Sequence, residues 1–301
     1  MSNSTVLIRK SRKRGSCTLS GASTGKRGRQ LGIHSITSIQ AVRRLNNEIP
    51  VYQYFDLLEN TIKELGLEDK PSQIWNLDES SFCSDPSKTK IVGQRGLPAT
   101  RTTSRPGNQN TTVLMCCSAS GEKAPTLIIF KGKHVWDQWL APSGSEFPEM
   151  TYAATANGWM ESTVFKNYFE KSFVKCLPPE RPDLVIYDGH ATHLSVEVVR
   201  IAIDNQITIL KLPPHTSHIL QPLDLSVFKS LKTQWDAKLV EWQRKNVGIK
   251  MPKSIFIGDI WRETNPEILR SGFVKAGIYP LNRNVVATDL FDPVSFTKWK
   301  E

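Results

Sequence analysis

Long apolar runs, paired cysteines and internal repeats are all missing from this chain of 301 residues. No apolar run approaches 18 residues, so no segment is predicted to span a membrane. No apolar stretch follows the basic start, which argues against a secretory signal. The five cysteines show no C-x-x-C spacing. They predict reduced intracellular thiols and exclude a disulfide frame or a zinc knuckle.

Acidic residues are missing from residues 1–30, which contain eight Lys or Arg. The rest of the chain is almost neutral, although the whole carries a formal charge of +10. Residues 1–31 are also rich in Ser and Gly, and they have too little apolar surface to order themselves. This basic tail predicts a nuclear import signal or an arm that binds phosphates. The alternative is a tail that is merely solvated.

Hydrophobic periodicity divides the remainder into strands and helices. Helix 51–65 has a predicted buried stripe that includes Leu57. Ser162 is a plausible N-cap of the next helix, and Trp136 and Trp139 are predicted core residues. The predicted strands are 74–77, 112–117, 126–130, 184–187 and 207–213, and the predicted helices are 51–65, 162–177, one from Ser195 and a long one from Pro222.

This order of elements predicts an α/β fold with a mixed sheet, in which the first three strands are antiparallel and the later ones parallel. Helices are expected on both faces. The predicted organisation is a basic tail, a short helical lead-in, a catalytic core and a helical closing segment, at residues 1–31, 32–70, 71–250 and 251–301.

Two aspartates are predicted at the carboxyl ends of strands, where sites form in such sheets. Asp78 follows the first strand and Asp188 follows the fourth. If the two strands are neighbours, the carboxylates repel each other, and a divalent cation with a preference for oxygen ligands relieves that repulsion. A third, Asp224, falls in the first turn of the long helix. The alternative for each is a turn or helix cap.

Three motifs carry a resemblance to a known family. These are "IWNLDESSF", "VIYDGHATH" and "LPPHTSHILQPLDLSVFKSLK", and "FKGK" and "FVKAGIYPLN" also fit. Over roughly residues 71–284 the chain resembles the transposase core of the Tigger/pogo group, within the DDE superfamily of endonucleases. The resemblance implies a ribonuclease H-like fold and a catalytic, metal-binding triad of Asp78, Asp188 and Asp224.

The same resemblance implies a mechanism in which two Mg²⁺ or Mn²⁺ ions clamp a scissile phosphodiester. Asp78, on the most central strand, is expected to bridge both ions, while Asp188 and Asp224 each hold one. The nucleophile is water in hydrolysis and a DNA 3′-hydroxyl in strand transfer. The partner is therefore DNA, with no membrane involved; the expected location is the nucleus, and self-association is left open.

Four of the six histidines form two H-x-x-H pairs, predicted to lie in loops. They are interpreted as residues that orient the carboxylates or contact phosphates, assisted by two amides. A zinc site with four histidines and loop histidines bonded to the backbone are the alternatives. The pairs are His190 with His193 and His215 with His218, and the amides are Asn76 and Gln221.

Basic residues before and after the predicted hairpin are interpreted as phosphate contacts, with a solvated loop as the alternative. They are Lys88, Lys90, Arg95, Arg101, Arg105, Lys131 and Lys133.

Family members usually carry tandem helix-turn-helix domains before the core. Seventy-seven residues precede Asp78 here, and the first 30 are predicted to be unordered, which leaves too few for two such domains. A truncated copy or a fragmentary gene model is therefore expected. Two functions compete: a metal-dependent endonuclease and strand transferase, and an inactive nuclear DNA-binding or regulatory protein derived from one.

Overall fold

The structure is a computed structural model, and it describes residues 49–84, 110–142, 150–189, 193, 195–246, 249 and 251–286. The predicted basic tail and the loop with Lys88, Lys90, Arg95, Arg101 and Arg105 lie outside the described residues. The described strands are β1 Ile74–Cys83, β2 Asn110–Ser118, β3 Leu127–Lys131, β4 Thr151–Thr155, β5 Asp183–Tyr187 and β6 Ile207–Lys211.

These strands form one sheet in the order β4-β3-β2-β1-β5-β6. β2 is antiparallel to both β1 and β3, whereas the β3–β4, β1–β5 and β5–β6 pairs are parallel. β2 is therefore the single reversed strand among them, and the other five end at the same edge of the sheet. This arrangement confirms the predicted ribonuclease H-like fold.

Helices cover both faces of the sheet, as expected. Side chains alternate along each strand, so β1 contributes Ile74 and Phe82 to one hydrophobic cluster and Trp75 and Leu77 to the other. The helices are α1 Ile49–Leu65, α2 Ser162–Tyr168, α3 Val196–Asp204, α4 Ser217–Leu220, α5 Phe228–Lys245, α6 Lys253–Glu263 and α7 Pro266–Lys275.

The first cluster lies between the sheet and helices α1, α5, α6 and α7, and we call this side of the sheet face one. The second lies under α2 and α3, on face two. α2 continues through a π-helical turn, Phe169–Phe173, which buries two more phenylalanines against face two. The lead-in helix α1 and the closing helices α6 and α7 thus share one core with the sheet.

β1 is longer than its sequence predicts. The prediction ended the strand before Asp78, but β1 runs to Cys83 and pairs with β2 along its length. Ser80 and Phe82 are buried while Ser81 is exposed, so the alternation of a strand persists through residues that resemble a turn. Asp78 consequently lies inside an antiparallel ribbon and not at its end.

A further strand, β4, was not predicted. Thr151–Thr155 adds to the edge of the sheet, parallel to β3. Its residues are mostly half-buried, and its sequence, TYAAT, shows little contrast between apolar and polar positions. Periodicity therefore gives almost no signal there, whereas β3 offers an edge with which it can pair.

Three side chains differ from their predicted places. Leu57 is 53% exposed, because Phe55 joins Tyr54 and Leu58 on the buried side of α1. Trp136 is 57% exposed, and only Trp139 of that pair packs against the core. Ser162 is the first residue of α2 and not its cap, since Glu161 occupies that position without a side-chain hydrogen bond.

The long C-terminal helix begins differently from its prediction. Pro222 is followed by a π-helical turn, Leu223–Val227, and only then by α5. Such turns disturb the regular ladder of a helix and are frequent at functional sites. α7 packs against this turn, where Ser271 and Ser226 are hydrogen-bonded through their hydroxyls at 2.5 Å.

Gly272 of α7 lies close to the backbone of Pro222, the residue just before this turn. A Cβ on Gly272 would lie 2.6 Å from the carbonyl oxygen of Pro222, a backbone atom that cannot rotate away. Gly272→Ala should therefore destabilise the protein by about 1–3 kcal/mol, although alanine is the better helix former. Urea unfolding measures the change. Val274→Ala, at a half-exposed position of the same helix, should stay within about 0.5 kcal/mol of wild type; equal stabilities for the two variants would contradict the close contact.

Candidate active site

Register brings Asp78 and Asp188 together. The parallel pairing of β1 with β5 matches Ile74 to Leu184 and ends at Asn76 with Ile186. Asp78 and Asp188 each lie two residues beyond this last pair, so they occupy equivalent positions at the point where the two strands part. Both side chains belong to face one by the alternation of the strands.

Asp224 lies on the π-helical turn, near Asp78 and Asp188. Two buried side-chain amides attach this turn to the sheet. The Asn76 amide donates to the carbonyl of Ile186 at 2.8 Å and to Gln221 Oε1 at 3.2 Å. Its own oxygen accepts from the backbone N–H of Leu223 at 3.2 Å. Gln221 Nε2 donates to the carbonyl of Leu77 at 3.0 Å. The amides therefore connect β1, β5 and the turn that carries Asp224.

Asn76 and Gln221 are completely buried, so each lost hydrogen bond would leave an unsatisfied polar group in the core. Leu223 begins the turn, where a backbone N–H has no partner within the helix. Asn76 satisfies this N–H from a neighbouring strand. The two predicted assisting residues are thus placed as structural links behind the three aspartates.

The charges of the three aspartates act on one another. Burial raises the pKa of Asp78 well above its ordinary value, and the negative charges of Asp224 and Asp188 raise it further. The backbone N–H of Glu79, which donates to Asp78 Oδ1 at 2.8 Å, opposes this rise. The surroundings of Asp78 therefore disfavour its charged form, and a nearby cation would favour it.

The pKa of Asp224 is also raised, first by desolvation and then by the charge of Asp188, while Lys232 and His218 lower it. Asp224 is exposed and Asp188 is partly exposed, so both are accessible to a ligand from solvent.

His193 lies beside Asp188 and contacts a fourth acid. Its Nδ1 is 3.3 Å from Asp188 Oδ1, and its Nε2 is 2.7 Å from Glu79 Oε1. Burial lowers the pKa of His193, but the hydrogen bonds and charges of Asp188 and Glu79 outweigh burial and raise it to about 9. Sequence reasoning expected a histidine that orients a carboxylate, but it missed Glu79, which directly follows Asp78.

The other predicted histidines are placed differently. His218 lies on α4, not in the predicted loop, and is exposed. His215 adopts a left-handed conformation with φ of 63° in the turn before α4. His190 lies outside the described residues.

The donor chemistry of the site fits a divalent cation. Three carboxylates at one end of the sheet offer hard oxygen ligands, and their mutual repulsion is what a cation would relieve. They are not yet gathered around one point: among the residues that the structure describes, no group of three or more His, Cys, Asp or Glu side chains is close enough to hold an ion. Those residues also contain no cluster of histidines that could hold zinc.

Two basic residues near the aspartates were not predicted. Lys211 ends β6, and its side chain lies across Gly189, where a Cβ would come within 1.6 Å of Lys211 Cε. Gly189 therefore leaves room for a lysine next to Asp188. Lys232, one of the charges that act on Asp224, is exposed on α5. Their signal in the sequence was weak, because isolated lysines on a strand end and a helix are common.

Lys131 and Lys133 are exposed, but the structure does not bring them to the aspartates. Lys131 ends β3, whose register with β2 and β1 puts it opposite Cys83. At the usual spacings within a sheet, that position is about 20 Å from Asp78.

The region around this site is similar to a known protein family. Residues 108–255 match the family model of the DDE superfamily endonuclease. This segment includes Asp188 and Asp224 but not Asp78, and it covers just under half of the chain. Within the part of the chain that the structure describes, no helix is long and apolar enough to cross a bilayer.

Curated relatives are similar to this chain at 25% identity. One is the human pogo transposable element with KRAB domain, over 261 residues that make up 78% of this chain and 41% of that protein. Its mouse counterpart matches over 260 residues. Another is the MFS-type transporter clz9 of Cochliobolus lunatus, over 72% of this chain and 24% of that protein. The chain thus spans about a quarter to two fifths of these relatives.

Among solved structures, the Mos1 strand transfer complex is similar with a TM-score of 0.42 and 17% identity, over 85% of this chain and 66% of that one. The Mos1 mariner paired end complex with Mn has the same TM-score, with 16% identity over 85% and 66%.

Proposed function

We propose that this chain, which carries a DDE superfamily endonuclease domain of the pogo/Tigger type, cleaves DNA phosphodiesters in a metal-dependent reaction at Asp78, Asp188 and Asp224. The observation that carries the proposal is that these carboxylates lie near enough at one end of the sheet for the charges of Asp224 and Asp188 to act on Asp78. Two of them lie at matched positions beyond the last β1–β5 pair, and the third acts on Asp78 through its charge.

Each aspartate has a role that follows from its place. Asp78 lies on β1, which contacts both β5 and the π-helical turn, so it is the residue best placed to be shared by two Mg²⁺ or Mn²⁺ ions. Asp188 and Asp224 approach from β5 and from the π-helical turn, and each would hold one ion. When bound, the cations neutralise the carboxylates, polarise the phosphodiester and lower the pKa of the attacking hydroxyl or water.

The chain's own residues also supply contacts for DNA. The Lys211 and Lys232 side chains flank the acids and favour phosphates of the backbone near the cleaved bond. The same acids serve hydrolysis and strand transfer, because only the nucleophile differs between them. A basic N-terminal segment supports non-specific DNA affinity and a nuclear location.

Nicking of supercoiled plasmid tests the proposal. The purified chain with Mn²⁺ or Mg²⁺ should convert supercoiled plasmid to nicked circles with little sequence preference, and EDTA should stop the reaction. Addition of a short duplex with a free 3′-hydroxyl, labelled at its other end, should also transfer label to the plasmid. DNA binding without any nicking would instead favour the inactive DNA-binding or regulatory function.

A further inference from the structure

We propose that the side chain of Glu79 is a positioning group that holds Asp188 through His193, next to the backbone N–H that holds Asp78. Asp78 and Glu79 are consecutive on β1, so their side chains point to opposite faces of the sheet. The backbone N–H of Glu79 donates to Asp78 on face one. Its carboxylate contacts His193, whose other nitrogen faces Asp188. This inference rests on the proposed function of the aspartates.

The His193 ring is fixed from several sides. Its side chain is 5% exposed. Phe165 lies over the ring at a centroid distance of 4.5 Å, and Tyr187 meets it nearly at right angles at 5.6 Å. The Tyr187 hydroxyl donates to the His193 backbone carbonyl at 3.1 Å.

Packing against Phe165 and Tyr187 fixes the plane of the His193 ring, but it does not fix the direction in which the two ring nitrogens point. The 2.7 Å contact with Glu79 fixes Nε2 on face two, and Nδ1 must then point around the end of β5 towards Asp188. When one ring nitrogen of a histidine contacts a functional group, a hydrogen bond to the other nitrogen commonly fixes the orientation of the ring and of that group. Glu79 therefore determines where Asp188 is held, although it touches no substrate.

Four variants separate this role from a general effect on folding or charge. Glu79→Gln retains an oxygen at the same reach but loses the charge, whereas Glu79→Asp retains the charge but falls short of the ring. Glu79→Ala loses both. Glu64→Ala, at an exposed position of α1, is the matched control.

The measurements are Mn²⁺ binding by calorimetry, thermal unfolding, and NMR of the His193 ring nitrogens, assigned with His193→Gln. We expect Glu79→Ala and Glu79→Asp to weaken Mn²⁺ binding by about 10- to 100-fold. Glu79→Gln and Glu64→Ala should stay within about threefold of wild type. The double variant Glu79→Ala/His193→Gln should be no weaker than either single variant, because the two residues act in one chain.

Several outcomes would overturn the positioning role. Full Mn²⁺ affinity in Glu79→Ala is one, and additive losses in the double variant are another. If Glu79→Ala does not fold, the comparison of Glu79→Asp with Glu79→Gln decides, and equal affinities would reject the role. If wild type itself binds no Mn²⁺, the proposed function fails instead. The positioning role is then tested by NMR of the metal-free protein. It is rejected if the His193 ring nitrogens have the same chemical shifts in Glu79→Asp as in wild type.

Discussion

Replacement of Asp78, Asp188 or Asp224 by alanine should reduce plasmid nicking on the order of a thousandfold or more, to the background of the assay. The three carboxylates come from β1, the residue after β5 and the π-helical turn. The other acids of these elements, Glu79 and Asp183, lie on the opposite face and at the opposite end of their strands, so they cannot replace a lost carboxylate. Groups that act as one catalytic unit lose almost all activity when any one is removed. Initial rates of nicking with Mn²⁺ measure the effect.

The triple variant should be no less active than the single ones, for the same reason. Asp204→Ala is the control, since Asp204 is an exposed aspartate at the end of α3, and it should nick at the wild-type rate. Thermal unfolding of each variant shows whether the fold is retained. If Asp224→Ala keeps full activity while Asp78→Ala loses it, the third residue of the triad is wrongly assigned.

Raising the pH from 6 to 10 in EDTA should cost the wild-type protein about 3 kcal/mol of unfolding free energy that His193→Gln does not lose. The pKa of His193 rises from 6.5 to about 9 on folding, and a rise of this size corresponds to about 3 kcal/mol. Because the folded-state pKa is the higher one, this stability is fully present below pH 6.5 and disappears as the pH rises through about 9.

The comparison with His193→Gln isolates this contribution, because the acids near His193 are the same in both proteins. Urea unfolding at intervals of one pH unit gives the two curves. The raised pKa values of Asp78 and Asp224 make both proteins more stable as the pH falls, so that part of the dependence should be shared. Parallel curves between pH 6 and pH 10 would show that His193 is not charged in the folded state.

The sequence predicted strands correctly where an apolar run is bounded by turn residues. It predicted them poorly where polar residues continue a strand or where the strand shows little periodicity. The strand before Asp188 and the hairpin of β2 and β3 were found because buried β-branched and apolar residues alternate with clear turns. β1 was cut short because Asp78 and the two serines after Glu79 are typical of a turn. Only pairing with β2, which is distant in sequence, keeps these residues extended.

The same limit applies to the candidate site. The aspartates were recognised by their motifs, but the roles of Asn76 and Gln221 depend on contacts between residues separated by 145 positions. Glu79 was overlooked because a strand places it on the face opposite Asp78, and the sequence does not show that His193 meets it there. A local pattern carries no information about that contact.

The alternation of Asp78 and Glu79 between the two faces of β1 also determines what the loss of a single codon would do to the site. Loss of the codon for Asn76 or Leu77 would leave every acid in the sequence and would preserve the reading frame. Yet it would exchange the faces of all later β1 side chains, so that Glu79 would occupy the place of Asp78 while Asp78 would turn towards Phe165 and Tyr187. A count of acidic residues would not detect this deletion, whereas the shortened spacing between Trp75 and Asp78 would.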